Sequence, residues 1–182
     1  DLASPHGVCF MEGNGHTYVM KPIQPANRIF LFGAGHVAKE IAVFGKTVGF
    51  RVIVYDDRAE FASAERFPDA DEIRICPEYA EVFENATASP GDYVVIVTRG
   101  HLFDKVVLEQ ALETQAGYIG MIGSRTKREA IYQELRAQGV PQSALDQVHC
   151  PIGLAIGAET PAEIAVSVVA QLIQHRAQRR KP

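Results

Sequence analysis

Two glycines separated by one residue, Gly33 and Gly35, stand between the apolar run IFLF (29–32) and a segment in which Val37, Ile41, Phe44/Gly45 and Val48 recur at helical spacing. A turn of this kind lets backbone N–H groups approach a pyrophosphate at a helix N-terminus, where the helix dipole favours an anion. Gly33, Ala34, Gly35, His36 and Val37 are therefore candidate phosphate contacts. The next β-branched run, RVIVY (51–55), ends on Asp56, Asp57 and Arg58. A carboxylate about twenty residues after such a turn accepts hydrogen bonds from ribose hydroxyls, whereas an arginine there offsets a 2′-phosphate. The spacing predicts the first role for Asp56 and leaves the second to Arg58. A glycine turn that serves only helix–strand packing is the plainer alternative.

Further groups converge on the same crevice. Thr98, Arg99, Gly100 and His101 follow the strongest strand pattern, YVVIV (93–97). With His36 they supply two imidazoles and a guanidinium, a set able to bind phosphate, ligate a metal oxo group or move protons. Histidines solvated in loops are the bland alternative. Gly123, Ser124 and Arg125 close another strand and open the cationic run Arg125, Lys127, Arg128. Cations in a first helical turn are disfavoured by a few tenths of a kcal/mol each, about 0.3 at the least. An anion held by Ser124 would reverse that penalty; a solvated basic face is the alternative. His149 and Cys150 are adjacent soft ligands, but a structural zinc site wants about four. His101 and Cys150 are the candidate metal contacts, and a buried inert thiol is the simpler expectation for Cys150. No GxSxG elbow and no HExxH occurs, and no residue is assigned a catalytic role.

The elements that must position these groups are legible from periodicity. Across 182 residues, 47% hydrophobic and 22% charged composition is that of a globular domain and excludes a disordered tail, a collagen-like fibre or a coiled coil. A net charge of −4 argues against nucleic acid as a partner, and no apolar run is long enough for a membrane span. The first residues show no secretory signal, and three scattered cysteines suggest a reducing compartment, so a cytoplasmic location is expected. The segment 8–21 reads as a β-hairpin turning at Gly13-Asn14-Gly15, and Pro22 and Pro25 mark a linker. Residues 1–27 are thus expected to be a hairpin and linker left from a preceding domain, and 28–182 the main domain. A lone hairpin is marginally stable and must pack on something, either in cis or by exchange with a second copy in a homodimer. From residue 28 strands alternate with helices, including a helix over 127–138 and a last one opened by the capping box Thr160-Pro161-Ala162-Glu163. This is the pattern of an α/β fold with a doubly wound parallel sheet, whose strand tips gather the candidate residues in space.

Four stretches, IFLFGAGHVA (29–38), TRGHLFD (98–104), YIGMIGSRTKR (118–128) and HCPIGLAIGAETPAEIAVSVVAQLI (149–173), resemble the XdhC/CoxI family of xanthine dehydrogenase accessory proteins. The resemblance runs from about residue 7 to 173 and implies a Rossmann-like XdhC domain. It further implies a chaperone that binds the molybdenum cofactor, as molybdopterin or its dinucleotide form, and protects it while a cofactor sulfurtransferase installs the terminal sulfido ligand. The cofactor is then delivered to an apo xanthine dehydrogenase-type enzyme. By matching motif, Gly33, Gly35, His36, His101 and Arg125 inherit cofactor-binding roles. Family members usually carry an additional N-terminal region, of which only a last hairpin is recognisable here. Read from the glycine turn and Asp56 alone, an NAD(P)-dependent oxidoreductase or a nucleotide-binding module is the alternative.

Overall fold

The computed structural model describes residues 9–20, 26–84 and 87–179. An antiparallel hairpin comes first, β1 (Cys9–Gly13) against β2 (His16–Met20), with Cys9 opposite Met20 and Gly13 opposite His16. Its two-residue loop has Asn14 and Gly15 at φ 52° and 74°, the paired positive angles of a turn whose twist matches the strands. Phe10, Met11, Tyr18 and Val19 are all exposed, so neither face of the hairpin is a core face. Val8, Lys21 and residues 22–25 of the linker expected over 22–27 lie outside the described residues.

Five further strands form one parallel sheet: β3 (Arg28–Phe32), β4 (Arg51–Asp56), β5 (Glu72–Ile75), β6 (Tyr93–Ile96) and β7 (Tyr118–Met121). Their order is β5-β4-β3-β6-β7, with Ile29 in register with Val52 on one side and Tyr93 on the other. Successive side chains of a strand face opposite sides, and here both sides are cores. Ile29 and Leu31 pack with Ile41 and Ala42 of α1 (His36–Thr47) and with Val168 and Leu172 of α5 (Pro161–Arg179). Phe30 and Phe32 pack with Val107 and Leu108 of α2 (His101–Leu112) and with Ile131 and Leu135 of α3 (Arg125–Ala137). Truncating any of the buried leucine, isoleucine or phenylalanine side chains among these to alanine is expected to remove about 2–5 kcal/mol. The chain steps outward from β3 to β5, then returns to β6 on the other side of β3. The switch point therefore lies between β3 and β6, at their carboxyl ends.

The doubly wound parallel sheet and the separate hairpin agree with the sequence reading, as do the strand positions to within a residue or so. The capping box forms as expected: Glu163 N–H donates to Thr160 Oγ1 at 3.3 Å, and Thr160 N–H to Glu163 Oε2 at 3.0 Å. Three details differ. α3 begins at Arg125 rather than 127, because Ser124 caps it by accepting the N–H of Lys127. A short helix, α4 (Gln142–Leu145), lies where no element is predicted. Residues 149–152 run parallel along the edge of β7: His149 N–H bonds Ile119 O at 2.9 Å and Ile152 N–H bonds Met121 O at 3.0 Å. Pro151 within so short a run hides this edge pairing from a reading by propensity.

Candidate functional site

The glycine turn is wedged between the ends of its two neighbouring strands. Gly33 has φ 108° and donates its N–H to Tyr55 O at 2.7 Å, and a Cβ there would run into the carbonyl of Val97. Only glycine satisfies both the positive φ and the close approach. Gly35 is different. Its φ is −76°, it caps α1 without a side-chain hydrogen bond, and a Cβ placed on it meets nothing within 4 Å. α1 has no acidic residue in its first turn, so its free N–H groups and positive pole face open space at the switch point, beside His36 and Val37.

The two carboxylates at the end of β4 have different situations. Asp56 is fully buried. Its Oδ2 accepts the Ala34 N–H at 2.7 Å and Arg58 Nη2 at 3.2 Å, while Oδ1 accepts the Arg58 N–H at 3.0 Å and Nε at 2.9 Å. Burial works to raise its pKa, but the hydrogen bonds from Arg58 and Ala34 outweigh it and hold the carboxyl below its ordinary value. Asp57, the next residue, turns toward the crest of the sheet and accepts Arg99 Nη2 at 2.5 Å. Since Arg99 follows β6 and Asp57 follows β4, this bridge reaches across the end of β3. Arg58 lies with its guanidinium carbon 3.7 Å from the ring centroid of Phe61, which Arg66 also approaches at 4.8 Å; Arg66 Nη2 reaches Ala34 O at 3.4 Å. Tyr79, whose ring meets Phe103, is buried against the same carboxylates.

Thr98 is held by Asp104, a fully buried carboxylate in the first turn of α2 that accepts both its N–H at 3.2 Å and its hydroxyl at 2.5 Å. The same carboxylate pairs with Lys127 of α3. One buried group thereby joins the Thr98–His101 tip to the Gly123–Arg125 tip. Burial pushes the Asp104 carboxyl up, and Lys127 and Thr98 counter that only in part. Gly100, at φ 101°, leaves α2 without a side-chain cap. His101 lies on the surface with Nε2 3.5 Å from Glu134 Oε1 of α3. Of the cationic run, Lys127 turns inward to Asp104, Arg128 donates to Cys150 O at 3.1 Å, and Arg125 is exposed. Ser124 spends its hydroxyl oxygen on the α3 cap.

Cys150 packs in the core with Ile131, Tyr132 and Leu135, and burial pushes its thiol up to about 11. His149 stacks on Tyr118 at 4.5 Å between ring centroids. Among the described residues no group of three or more His, Cys, Asp and Glu side chains is placed to hold a metal ion, and no helix is long and apolar enough to cross a membrane. The sequence reading did not single out Asp104, Phe61 or Arg66. Asp104 did carry a signal, since it falls on the stripe of Val107, Leu108 and Ala111, and a carboxylate on a buried stripe requires a partner.

Strand order, with its switch point between β3 and β6 and a glycine turn between β3 and α1, places the protein among the Rossmann-type domains. Within that class the chain belongs to the XdhC family: the model of the XdhC Rossmann domain matches residues 29–172. It is 33% identical over 147 residues to the uncharacterized protein YqeB of Escherichia coli K12, covering 81% of this chain and 27% of that protein. It is 38% identical over 157 residues to a Bacillus subtilis 168 protein described as a probable xanthine dehydrogenase subunit, covering 85% of this chain and 44% of that protein. A crystal structure described as a xanthine dehydrogenase from Bacillus halodurans superposes with a TM-score of 0.75 at 34% identity, over 90% of this chain and 45% of that one. The chain thus spans less than half the length of each of these relatives.

Proposed function

We propose that this domain is a carrier that binds the molybdenum cofactor at the β3/β6 switch point and passes it to an apo xanthine dehydrogenase-type enzyme in the cytoplasm. A cofactor sulfurtransferase is the partner that completes the cofactor while it is held. Membership of the XdhC family and the relatives' names support an association with xanthine dehydrogenase. The observation that carries the reading is the open N-terminus of α1, with no acidic residue in its first turn and no capping side chain, beside Arg58, Arg66 and Arg99. That combination suits the phosphate of molybdopterin or the pyrophosphate of its dinucleotide form.

In this reading Ala34, Gly35, His36 and Val37 present backbone N–H groups to the phosphate. Gly33 supplies the close turn that aims them, and Thr98 and Gly100 shape the opposite wall. Arg58, Arg99 and Arg125 balance the charge, and Asp104 with Lys127 keeps the Thr98 and Gly123 tips at a fixed separation. The cofactor, when bound, supplies the molybdenum chemistry to the client; the domain itself binds, orients and shields. Of the two candidate metal contacts, His101, exposed at the start of α2, is the proposed one on the metal side; the Cys150 thiol, packed in the core and pushed up by burial, fits the simpler expectation of an inert thiol. The alternative, an NAD-type oxidoreductase, draws less support, because the Asp56 carboxylate is already engaged by Ala34 and Arg58 rather than presented to a ribose.

The test is to incubate the purified chain with molybdenum cofactor, with and without excess NAD, and to quantify molybdenum co-eluting on gel filtration. Near one molybdenum per chain, retained at least in part against excess NAD and lost in Gly35→Trp, is the expected result. Loss of molybdenum with retention of NAD would replace the carrier reading with a dinucleotide-binding one.

A further inference from the structure

Asp57 and Arg99 follow strands that lie on either side of β3, two strand spacings or about 10 Å apart. Their side chains nevertheless meet at 2.5 Å, so the bridge closes over the end of β3, where the glycine turn lies. The two partners are unequal. The Arg99 side chain is 51% exposed, whereas that of Asp57 is 10% exposed. Asp57 Oδ2 takes the hydrogen bond from Arg99, but Oδ1 is buried without a hydrogen-bond partner among the described residues. Arg58 Nε stands 3.6 Å from that oxygen and gives its hydrogen to Asp56 instead. A buried carboxylate oxygen with no donor is expensive, and its natural remedy at the rim of a crevice is a donor on a ligand.

We propose that Asp57 and Arg99 are the pair that reads the ligand: Arg99 turns from Asp57 to an anionic oxygen of a diphosphate on the glycine turn, and Asp57 Oδ1 accepts an O–H or N–H from the group which that diphosphate carries. Asp57 is then the internal anion that holds Arg99 until the ligand arrives. The exchange is easy because an ion pair with so exposed an arginine contributes little, while a phosphate offers the guanidinium a charge-assisted, bidentate partner. The ligand class is a diphosphate bearing a hydrogen-bond donor close to the anhydride. The inference rests on the reading of this crevice as the ligand site, and it is independent of molybdenum.

The experiment is calorimetric titration of the full chain with inorganic pyrophosphate and with ADP, for the wild type, Arg99→Met, Asp57→Ala and Asp57→Asn. Arg99→Met should weaken both probes by about tenfold. Asp57→Ala should bind pyrophosphate about three- to fivefold tighter, because the internal competitor is gone, and this gain should shrink at high salt. Its ADP-to-pyrophosphate affinity ratio should fall by about tenfold. Asp57→Asn, which loses the charge but keeps an acceptor, should show the same gain with a smaller fall in ratio. A purely structural bridge would lower the melting temperature of the variants and leave the ratio unchanged, which would overturn the proposal. So would affinity for both probes at the wild-type level in Arg99→Met, or binding of neither probe by any form. If the pyrophosphate and ADP results hold while molybdenum cofactor fails to co-elute, the ligand-reading pair stands and the carrier reading falls.

Discussion

Asp56 Oδ2 accepts the backbone N–H of Ala34 at 2.7 Å, so the carboxylate that ends β4 is a strut of the glycine turn after β3. The turn is thereby tied on one side by a side chain and on the other by its contact with Val97. Both ties lie at the carboxyl ends of the parallel strands, directly beneath the proposed binding surface.

Replacing Asp56 with alanine should therefore act on stability first. It leaves the Ala34 N–H and the Arg58 guanidinium without their acceptor, and the loss of one member of such a buried charged set costs about 3 kcal/mol. Urea denaturation should show a lowered midpoint at unchanged slope. A loss below about 0.5 kcal/mol, the range of a surface substitution, would contradict the strut.

The two glycines of the turn should separate structure from binding. Gly33→Ala places a Cβ against the Val97 carbonyl at φ 108° and should cost upwards of about 2 kcal/mol. Gly35→Ala has ordinary backbone angles and open space, and should change stability by less than about 0.5 kcal/mol. Thermal melts of the two proteins, compared at equal concentration, decide it; equal melting temperatures would refute the distinction.

Asp104 and Lys127 should couple strongly. Asp104→Ala strands the Lys127 ammonium and the N–H and hydroxyl of Thr98, a loss of about 3–5 kcal/mol. Lys127→Met leaves a buried carboxylate with Thr98 alone and should also destabilise. The double variant should recover at least about 1 kcal/mol relative to the sum, as read from a double-mutant cycle. Additive losses would show that the two residues act separately.

Stability should fall as the solution is acidified from neutral pH. His149 and His175 pack with Tyr93 and Tyr118, and His175 Nδ1 is buried without a hydrogen-bond partner among the described residues. Burial lowers the pKa of both histidines, with Arg179 and His149 adding to the effect at His175. The unfolded chain takes up these protons near pH 6.5 and the folded chain only lower, so stability is full above 6.5 and declines as the pH drops through that value. Asp92, bound by Arg28 and Ser89 and held below its ordinary value of 3.8, adds a second decline at lower pH by the same sign. Melting temperatures between pH 8 and 5 should fall, with a shallower slope in His175→Phe. An identical slope in that variant would assign the decline elsewhere.

Much of the architecture is legible in the sequence because it rests on local rules. Continuous apolar runs at 29–32 and 93–97, short, rich in aromatic and β-branched residues and each ending near a glycine, read as strands buried on both faces, and the helical spacing after Gly35 announces the turn into α1. The α5 capping box is a four-residue pattern, and it forms between the residues expected. Less legible was the edge run at 149–152, whose pairing with β7 depends on a partner far away in sequence and whose proline disguises it.

By itself the sequence determined that a glycine turn would lie at the tips of a doubly wound sheet, with arginines, histidines and carboxylates beside it. Only the tertiary structure decided which of two consecutive carboxylates faces inward. Asp56 and Asp57 are chemically identical neighbours, and successive residues at a strand end point to opposite sides. Packing against Ala34 and Arg58 buries one, while Arg99, arriving from β6, claims an oxygen of the other. The same holds for Asp104 and Lys127, which no spacing rule connects: folding brings α2 and α3 onto one face of the sheet, and the cost of burying an unpaired charge makes them partners.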